Sequence, residues 1–170
     1  SVHGASGGVE ASDGANAWRK IARVTNMRNR IARLIVGAYH TAGQKGAVKD
    51  DPYMNRDQVE AVGTDNAKKL ASLLRSAVEE SDQARAAAIV QRWANAGHPP
   101  TAIFNSLRQY AVSEDGALHA EKYFRTVVEE YATTRAEFRW RHLVALARVT
   151  ASQDGWPAPG RQQARELLRV

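Results

Sequence analysis

The chain has 170 residues, 44% of them hydrophobic, which is enough to form one ordinary globular core. It has no cysteine, which excludes disulfides and thiolate metal ligands. No run approaches the roughly 18 apolar residues of a membrane-spanning helix. The net charge of +6 suggests nucleic acid as a partner. However, the most basic segment, 19–33, also carries apolar residues at helical spacing. A solvated arginine face is the simpler interpretation, and nucleic acid is not the expected partner.

The first third of the chain predicts a flexible start and one long helical region. Residues 1–14 are rich in glycine and predict a loop, helical periodicity runs from 15 to 42 with a break near 25–29, and 43–56 has the composition of a second loop. The start lacks the charged and apolar regions of a signal peptide. We therefore expect a soluble cytoplasmic protein in which Ser1 is a processed end.

The middle of the chain predicts three consecutive helices. Thr64 is the expected cap of a helix over 65–80, and a second helix runs over 82–96. Pro99 or Pro100 suits the start of the next helix, because proline is tolerated in the first turn. That helix has a buried stripe at helical spacing, formed by Ile103, Phe104, Leu107 and Ala111.

The last third predicts two longer helices and a short one. One begins near residue 113, and Thr134 with Glu137 forms the pattern of a capping box for the other. The segment 154–160 breaks the pattern before a final short helix. No segment alternates with the period of a strand. The sequence thus predicts an all-α fold, a single domain over 1–170 with about six to seven helices.

A polar cluster on the helix after residue 113 is the main candidate site. His119 and Lys122 are three residues apart and share one helix face, with Asp115 four residues before His119 and Thr126 four residues after Lys122. The simpler alternative is a pair at the edge of the buried face, in which the lysine reaches solvent over its own stem.

The other histidines each have a structural alternative. His98 precedes two prolines and fits a turn, and His142 has the spacing of a core residue. His40 ends an apolar helical run, where a cation is favoured by the helix dipole, or it is a ligand. His3 lies in a segment of small residues and fits a frayed terminus.

The segment 103–152 resembles the C-terminal part of questin-oxidase-like proteins, above all in the runs 110–124 and 138–148. The resemblance implies a non-haem Fe(II) centre held by histidines and by a lysine carboxylated at its amine, in an His-x-x-Lys arrangement. His119 would then be an imidazole ligand and Lys122 a carbamate formed with carbon dioxide. Asp115 or a backbone carbonyl would orient His119, with Thr126 also in the surrounding shell. The implied activity is the oxidation of an aromatic or polyketide-type substrate with dioxygen.

The family's chains are longer, and their earlier histidine ligands lie far upstream. His40 and His3 are the candidates here, and further ligands would come from a second polypeptide, so that this chain is the C-terminal portion or a subunit of a larger enzyme. Four aromatic residues either line the substrate pocket or belong to the core: Tyr110, Tyr123, Phe124 and Trp140. The competing functions are a non-catalytic helical partner subunit or adaptor and, third, an arginine-rich nucleic-acid-binding module.

Overall fold

The computed structural model describes residues 6–44, 54–113, 118–155 and 160–169. Within these ranges the chain forms helices and no strand, which confirms the all-α prediction. The helices are α1 (Ser6–Arg23), α2 (Met27–Gly43), α3 (Arg56–Ala61), α4 (Ala67–Glu79), α5 (Gln83–Asn95), α6 (Pro100–Ala111), α7 (Leu118–Thr133), α8 (Ala136–Gln153) and α9 (Arg161–Leu168). These nine described helices exceed the predicted six to seven, because the break near 25–29 is real and the short α3 was not predicted. No described helix has the combination of length and apolar character that crossing a bilayer requires.

Helices α4 to α8 supply most of the core residues, and the packing of α5 on α8 forms its centre. Helix α8 is buried on several sides, as expected of a helix that is apolar around most of its circumference. Helices α5 and α8 pack on each other, and both contribute alanines to this core. The largest fully buried side chains are Leu70, Leu74, Val78, Ile89, Val90, Ile103, Leu107, Val127, Leu143, Val144 and Leu146.

The helix starts in the middle of the chain depend on short polar side chains. Asn66 caps α4 by accepting a hydrogen bond from the Lys69 amide, and Asp82 caps α5 in the same way through the Arg85 amide. The predicted cap of α4, Thr64, is wrong by two residues, since its hydroxyl instead accepts from the Asn66 amide at 3.2 Å. Pro100 begins α6, as predicted.

The capping box predicted at Thr134 and Glu137 is not formed. Arg135 is the N-cap of α8 and makes no side-chain capping bond. The Thr134 hydroxyl instead shares a hydrogen bond with His142 Nε2 at 3.0 Å. A neighbouring ring thus takes the hydroxyl that the local pattern assigned to the helix start.

The loop predicted over 1–14 is the clearest correction. Helix α1 begins at Ser6 and includes Val9, which is 4% exposed, and Asp13, which is 9% exposed. Glycine lowers the helix propensity of this segment by about 1 kcal/mol per residue, but packing of α1 on α2 and α7 overrides it. The loop predicted over 43–56 is bounded by the end of α2 and the start of α3, and 45–53 lie outside the described residues.

Candidate functional site

A groove of about 670 Å³ lies between α1, α2 and α7, and we call it the polar groove. Helices α1 and α2 form a hairpin, and α1 packs on α7, so that the three helices enclose the space. Its lining residues with ionisable or hydroxyl side chains are Glu10, Asp13, Lys20, His40, Glu121, Lys122, Arg125, Thr126 and Glu129. Three predicted site residues therefore line one groove: His40 from α2, and Lys122 and Thr126 from α7.

Lys122 is held between two carboxylates of α1. Its Nζ lies 3.3 Å from Glu10 Oε1 and 3.2 Å from Asp13 Oδ2. Partial burial alone would lower the pKa of Lys122, but the contacts with Asp13 and Glu10 outweigh burial, so the pKa of this amine is raised. Lys122 is consequently an ammonium ion at neutral pH in this arrangement.

His40 reaches the groove because its neighbour on α1 is a glycine. A Cβ atom placed on Gly14 would lie 2.6 Å from His40 Cε1 and 2.7 Å from His40 Nδ1, which is closer than real Cβ contacts. Within the described part of the chain, the buried His40 Nδ1 has no hydrogen-bond partner. The Asp13 carboxylate oxygens likewise accept no hydrogen bond of good geometry there, although one is in ion-pair range of Lys122. Buried polar atoms without a protein partner are rare, and such atoms are usually paired with a water, an ion or a ligand.

A second set of polar and charged contacts between α1 and α7 lies farther along α1. Lys20 pairs with Glu129, and Asn16 Nδ2 donates to Glu129 Oε2 at 2.7 Å. The contacts with Lys20 and Asn16 lower the pKa of the Glu129 carboxyl. Arg19 pairs with Glu130, which is 6% exposed. These pairs join the C-terminal half of α1 to α7.

Sequence reasoning missed the carboxylates Glu10, Asp13, Glu129 and Glu130. The signal that was present is complementary charge: Glu10 and Asp13 are one turn apart, and the basic residues 19 and 20 find the acidic pair 129 and 130. The predicted loop over 1–14 concealed it, because residues in a loop have no defined face.

The remaining predicted site residues are only partly described. His3 and Asp115 lie outside the described residues, and of His119 the structure describes only its place in α7. Thr126 is 5% exposed, on the turn of α7 that follows Lys122. The roles assigned to these residues stay predictions.

The aromatic residues considered for a substrate pocket pack in or against the core. Tyr123 is 5% exposed, and burial raises the pKa of its hydroxyl to about 12. Phe124 packs edge-on against Phe104, with ring centroids 6.2 Å apart, while Tyr131 bridges Phe104 and Trp140. Tyr110 also packs against the core. Of the two alternatives, the core role is the one observed.

His98 and His142 have structural partners. His98 Nε2 donates to the Asp65 carbonyl oxygen at 2.6 Å, and its ring packs on Trp93. His98 therefore connects the turn after α5 to the segment before α4. His142 is half-buried and hydrogen-bonded to Thr134. Burial, helped by the positive charge of Arg19, lowers the pKa of His142. Both agree with the structural alternatives drawn from the sequence.

The donors of the polar groove suit a hard or borderline divalent cation in chemical type, since they are carboxylate oxygens and one imidazole. Among the described residues, no three His, Asp or Glu side chains are close enough together to hold a metal ion. The side chain of His119 is not among the described ones. A complete ligand set would need that side chain, a change in Lys122, or a second polypeptide.

No protein-family model, no curated protein and no solved structure matches the chain.

Proposed function

We propose that this chain is a helical module of a non-haem-iron-dependent oxygenase, which uses dioxygen to oxidise an aromatic or polyketide-type substrate. The observation that carries the proposal is the convergence of His40 and Lys122 on one groove, beside a buried Asp13 carboxylate. The sequence alone indicates both residues as candidate ligands. The resemblance of 103–152 to questin-oxidase-like proteins supplies the reaction class.

His40 would supply an imidazole nitrogen to Fe(II), and the Asp13 carboxylate an oxygen atom, which is fewer than a metal ion requires. His119 is the further candidate on α7, and a second polypeptide would complete the set. When bound, iron provides a site that binds and activates dioxygen. The orphan nitrogen of His40 supports this assignment, because Nδ1 is buried without a partner among the described residues.

Lys122 needs a change of charge before it can act as a ligand. Carbamate formation requires a neutral amine, whereas Glu10 and Asp13 favour the ammonium form. A carbamate at this position would also place a third negative group beside two carboxylates. We therefore expect carbamylation of Lys122 and metal binding to depend on each other, with the divalent cation replacing the ammonium charge.

The test is metal content and carbamate formation in the purified chain, with any co-purifying chain retained. The protein is loaded anaerobically with Fe(II) and ¹³C-bicarbonate, and iron and the carbamate carbon are measured by elemental analysis and NMR. NMR is performed on a zinc-loaded sample, because iron broadens nearby signals. We expect near-stoichiometric metal and one carbamate signal that appears only when metal is present.

Two variants and a control make the test specific. Lys122→Arg keeps a cation beside Glu10 and Asp13 but cannot form a carbamate, and His40→Gln removes the imidazole. Both should lose the metal while remaining folded, and His98→Gln, which alters a turn, should retain it. Absence of metal from the parent after loading, or equal metal in all four proteins, would overturn the proposal.

The second candidate is a non-catalytic helical partner subunit. It is favoured by the ion pairs of Lys122, which join α1 to α7 without any ligand. In that case Lys122→Arg preserves the whole role of the residue, and the protein never acquires stoichiometric metal. The metal measurement thus separates the two candidates directly.

A further inference from the structure

Helix α2 has an apolar stripe whose large side chains are exposed. Its members recur in the i, i+3, i+4 and i+7 pattern of an amphipathic helix, so they share one side of the helix. We define the apolar stripe as Met27, Ile31, Leu34, Ile35, Ala38 and Ala42. The four large members are 65%, 55%, 51% and 65% exposed, in chain order. An apolar surface of this continuity on a protein typically marks an interaction site.

The stripe is exposed because α2 is attached through a different side. Gly37 is buried against Trp18 of α1, so closely that a Cβ atom would lie 2.9 Å from Trp18 Cβ. Arg30 Nε donates to the Ala22 carbonyl oxygen at 3.0 Å on the same side. The close attachment of α2 to α1 therefore uses a glycine and a polar contact, while the larger apolar side chains of the stripe stay at least half exposed.

A groove of about 500 Å³ between α1 and α2 borders the stripe. Trp18 and Leu34 form its larger walls, and Ala38 and Ala42 leave room along its length. Small side chains allow a helix backbone to approach closely, and a concave apolar surface of this kind suits the apolar face of an added helix. A flat lipid surface would not fill it.

The charges beside the stripe specify the partner. Helix α2 contains three arginines and no acidic residue. Arg23 and Arg28 are exposed, and neither forms an ion pair within the described part of the chain. Packing α2 against a second copy of itself would bring arginines together with no carboxylate to separate them, which is unfavourable. Acidic residues on the partner would meet the same arginines favourably.

We infer that the α1–α2 hairpin is a docking site for an amphipathic helix of a second polypeptide, with Asp and Glu flanking the partner's apolar face. The inference uses only the α1–α2 hairpin and does not depend on a metal in the polar groove. The apolar stripe of α2 would hold the partner helix through apolar contacts, and the arginines would select a partner helix with acidic flanks.

The test uses two synthetic helical peptides with the same apolar heptad pattern, one flanked by Glu and one by Lys. Binding of each to the full chain is measured by fluorescence anisotropy at low and physiological salt. We expect the Glu-flanked peptide to bind at least roughly tenfold more tightly, because like charges across an interface are disfavoured. We also expect that difference to shrink as salt rises.

Variants locate the binding site. Leu34→Glu should abolish binding of the Glu-flanked peptide, and Arg28→Glu should reverse the preference between the two peptides. The matched control is Leu167→Glu on α9, since Leu167 is also an exposed leucine, at 83%. Circular dichroism of all variants confirms that each remains helical.

Three outcomes would overturn the inference. One is equal or absent binding of the two peptides by the folded parent. Another is self-association of the parent that Leu34→Glu abolishes, which would assign the stripe to a second copy. The last is Leu34-dependent binding to vesicles of equimolar phosphatidylserine and phosphatidylcholine in the absence of peptide binding, which would assign it to a membrane surface.

Discussion

Helices α2 and α4 have the same kind of apolar periodicity and opposite surroundings. The stripe of α4, formed by Leu70, Leu74, Ala77 and Val78, is 0–1% exposed, whereas the large side chains of the α2 stripe are 51–65% exposed. Helix α4 lies against α5, α6 and α8, while α2 lies chiefly against α1. An amphipathic pattern thus determines that a helix has an apolar side, but the neighbours determine whether that side is already covered.

Truncation of one leucine in each helix should give the largest difference between α2 and α4 in the free energy of unfolding. Leu74→Ala should lower the free energy of unfolding by about 2–5 kcal/mol, because it removes a fully buried side chain and leaves a cavity. Leu34→Ala should change it by less than about 0.5 kcal/mol, the range of surface substitutions. Urea unfolding followed by circular dichroism measures both. Equal losses would mean that the α2 stripe is buried in the isolated protein.

The inward side of α2 should be far more sensitive than its outward side. Gly37→Ala should cost about 1–3 kcal/mol, because its methyl group would overlap Trp18 and push the two helices apart. Gly43→Ala is the matched control, since a Cβ atom there meets nothing within 4 Å. The control should be neutral or stabilising by up to about 1 kcal/mol through helix propensity. Thermal and urea unfolding of both variants give the comparison.

The attachment of α1 to α7 should depend on Lys122. Lys122→Met would leave the Asp13 carboxylate buried without its cation, at a cost of about 1–3 kcal/mol. The side chain of Lys122 is 40% exposed, so we expect the lower half of that range. Lys122→Arg is the control and should retain most of the stability. A loss of equal size in both variants would show that the ion pair is not the cause.

The pH dependence of the same pair has a defined sign. Because the folded pKa of Lys122 is raised above its ordinary value of 10.5, the stabilisation is fully present below that pH. It is lost as pH rises through the folded pKa. Urea unfolding at increasing alkaline pH should therefore show a smaller decline in Lys122→Met than in the parent. An identical decline would contradict the assignment.

The smallest expected effect concerns His142 on α8, which is close enough to Arg19 of α1 to be influenced by its charge. Burial, aided by the charge of Arg19, lowers the folded pKa of this imidazole. The neutral ring therefore contributes stability above the ordinary histidine pKa of 6.5, which is lost as pH falls towards the folded pKa. His142→Gln should flatten that acid decline by less than about 1 kcal/mol while keeping a partner for Thr134. Unfolding measured on both sides of pH 6.5 tests this, and an unchanged acid decline would contradict it.

Much of the helical framework could be predicted from local pattern. Asp82 at the start of α5, Pro100 at the start of α6 and the break between α1 and α2 all follow from capping and periodicity. The failures occurred where a distant side chain competed with a local signal. Thr134 bonds to His142 instead of capping α8, and the glycine-rich start is helical because α1 packs on α2 and α7.

The candidate site shows the same division. Position and residue type identified His40, Lys122 and Thr126 as candidates, but only the tertiary structure shows that Glu10 and Asp13 hold Lys122 as a cation. Such a contact depends on the way α1 lies across α7, and no local period encodes it. The iron centre proposed from the resemblance is compatible with the carboxylate and imidazole donors of the groove. The contacts of Lys122 favour its ammonium form, which cannot bind a metal.

By itself the sequence determined that this protein is all-α, because three- and four-residue spacing of apolar side chains and well-placed caps act within one helix at a time. Tertiary structure alone decided which apolar stripes are buried and which carboxylates meet Lys122. The physical reason is that burial and ion pairing depend on atoms brought close by the packing of whole helices, from positions that are far apart along the chain.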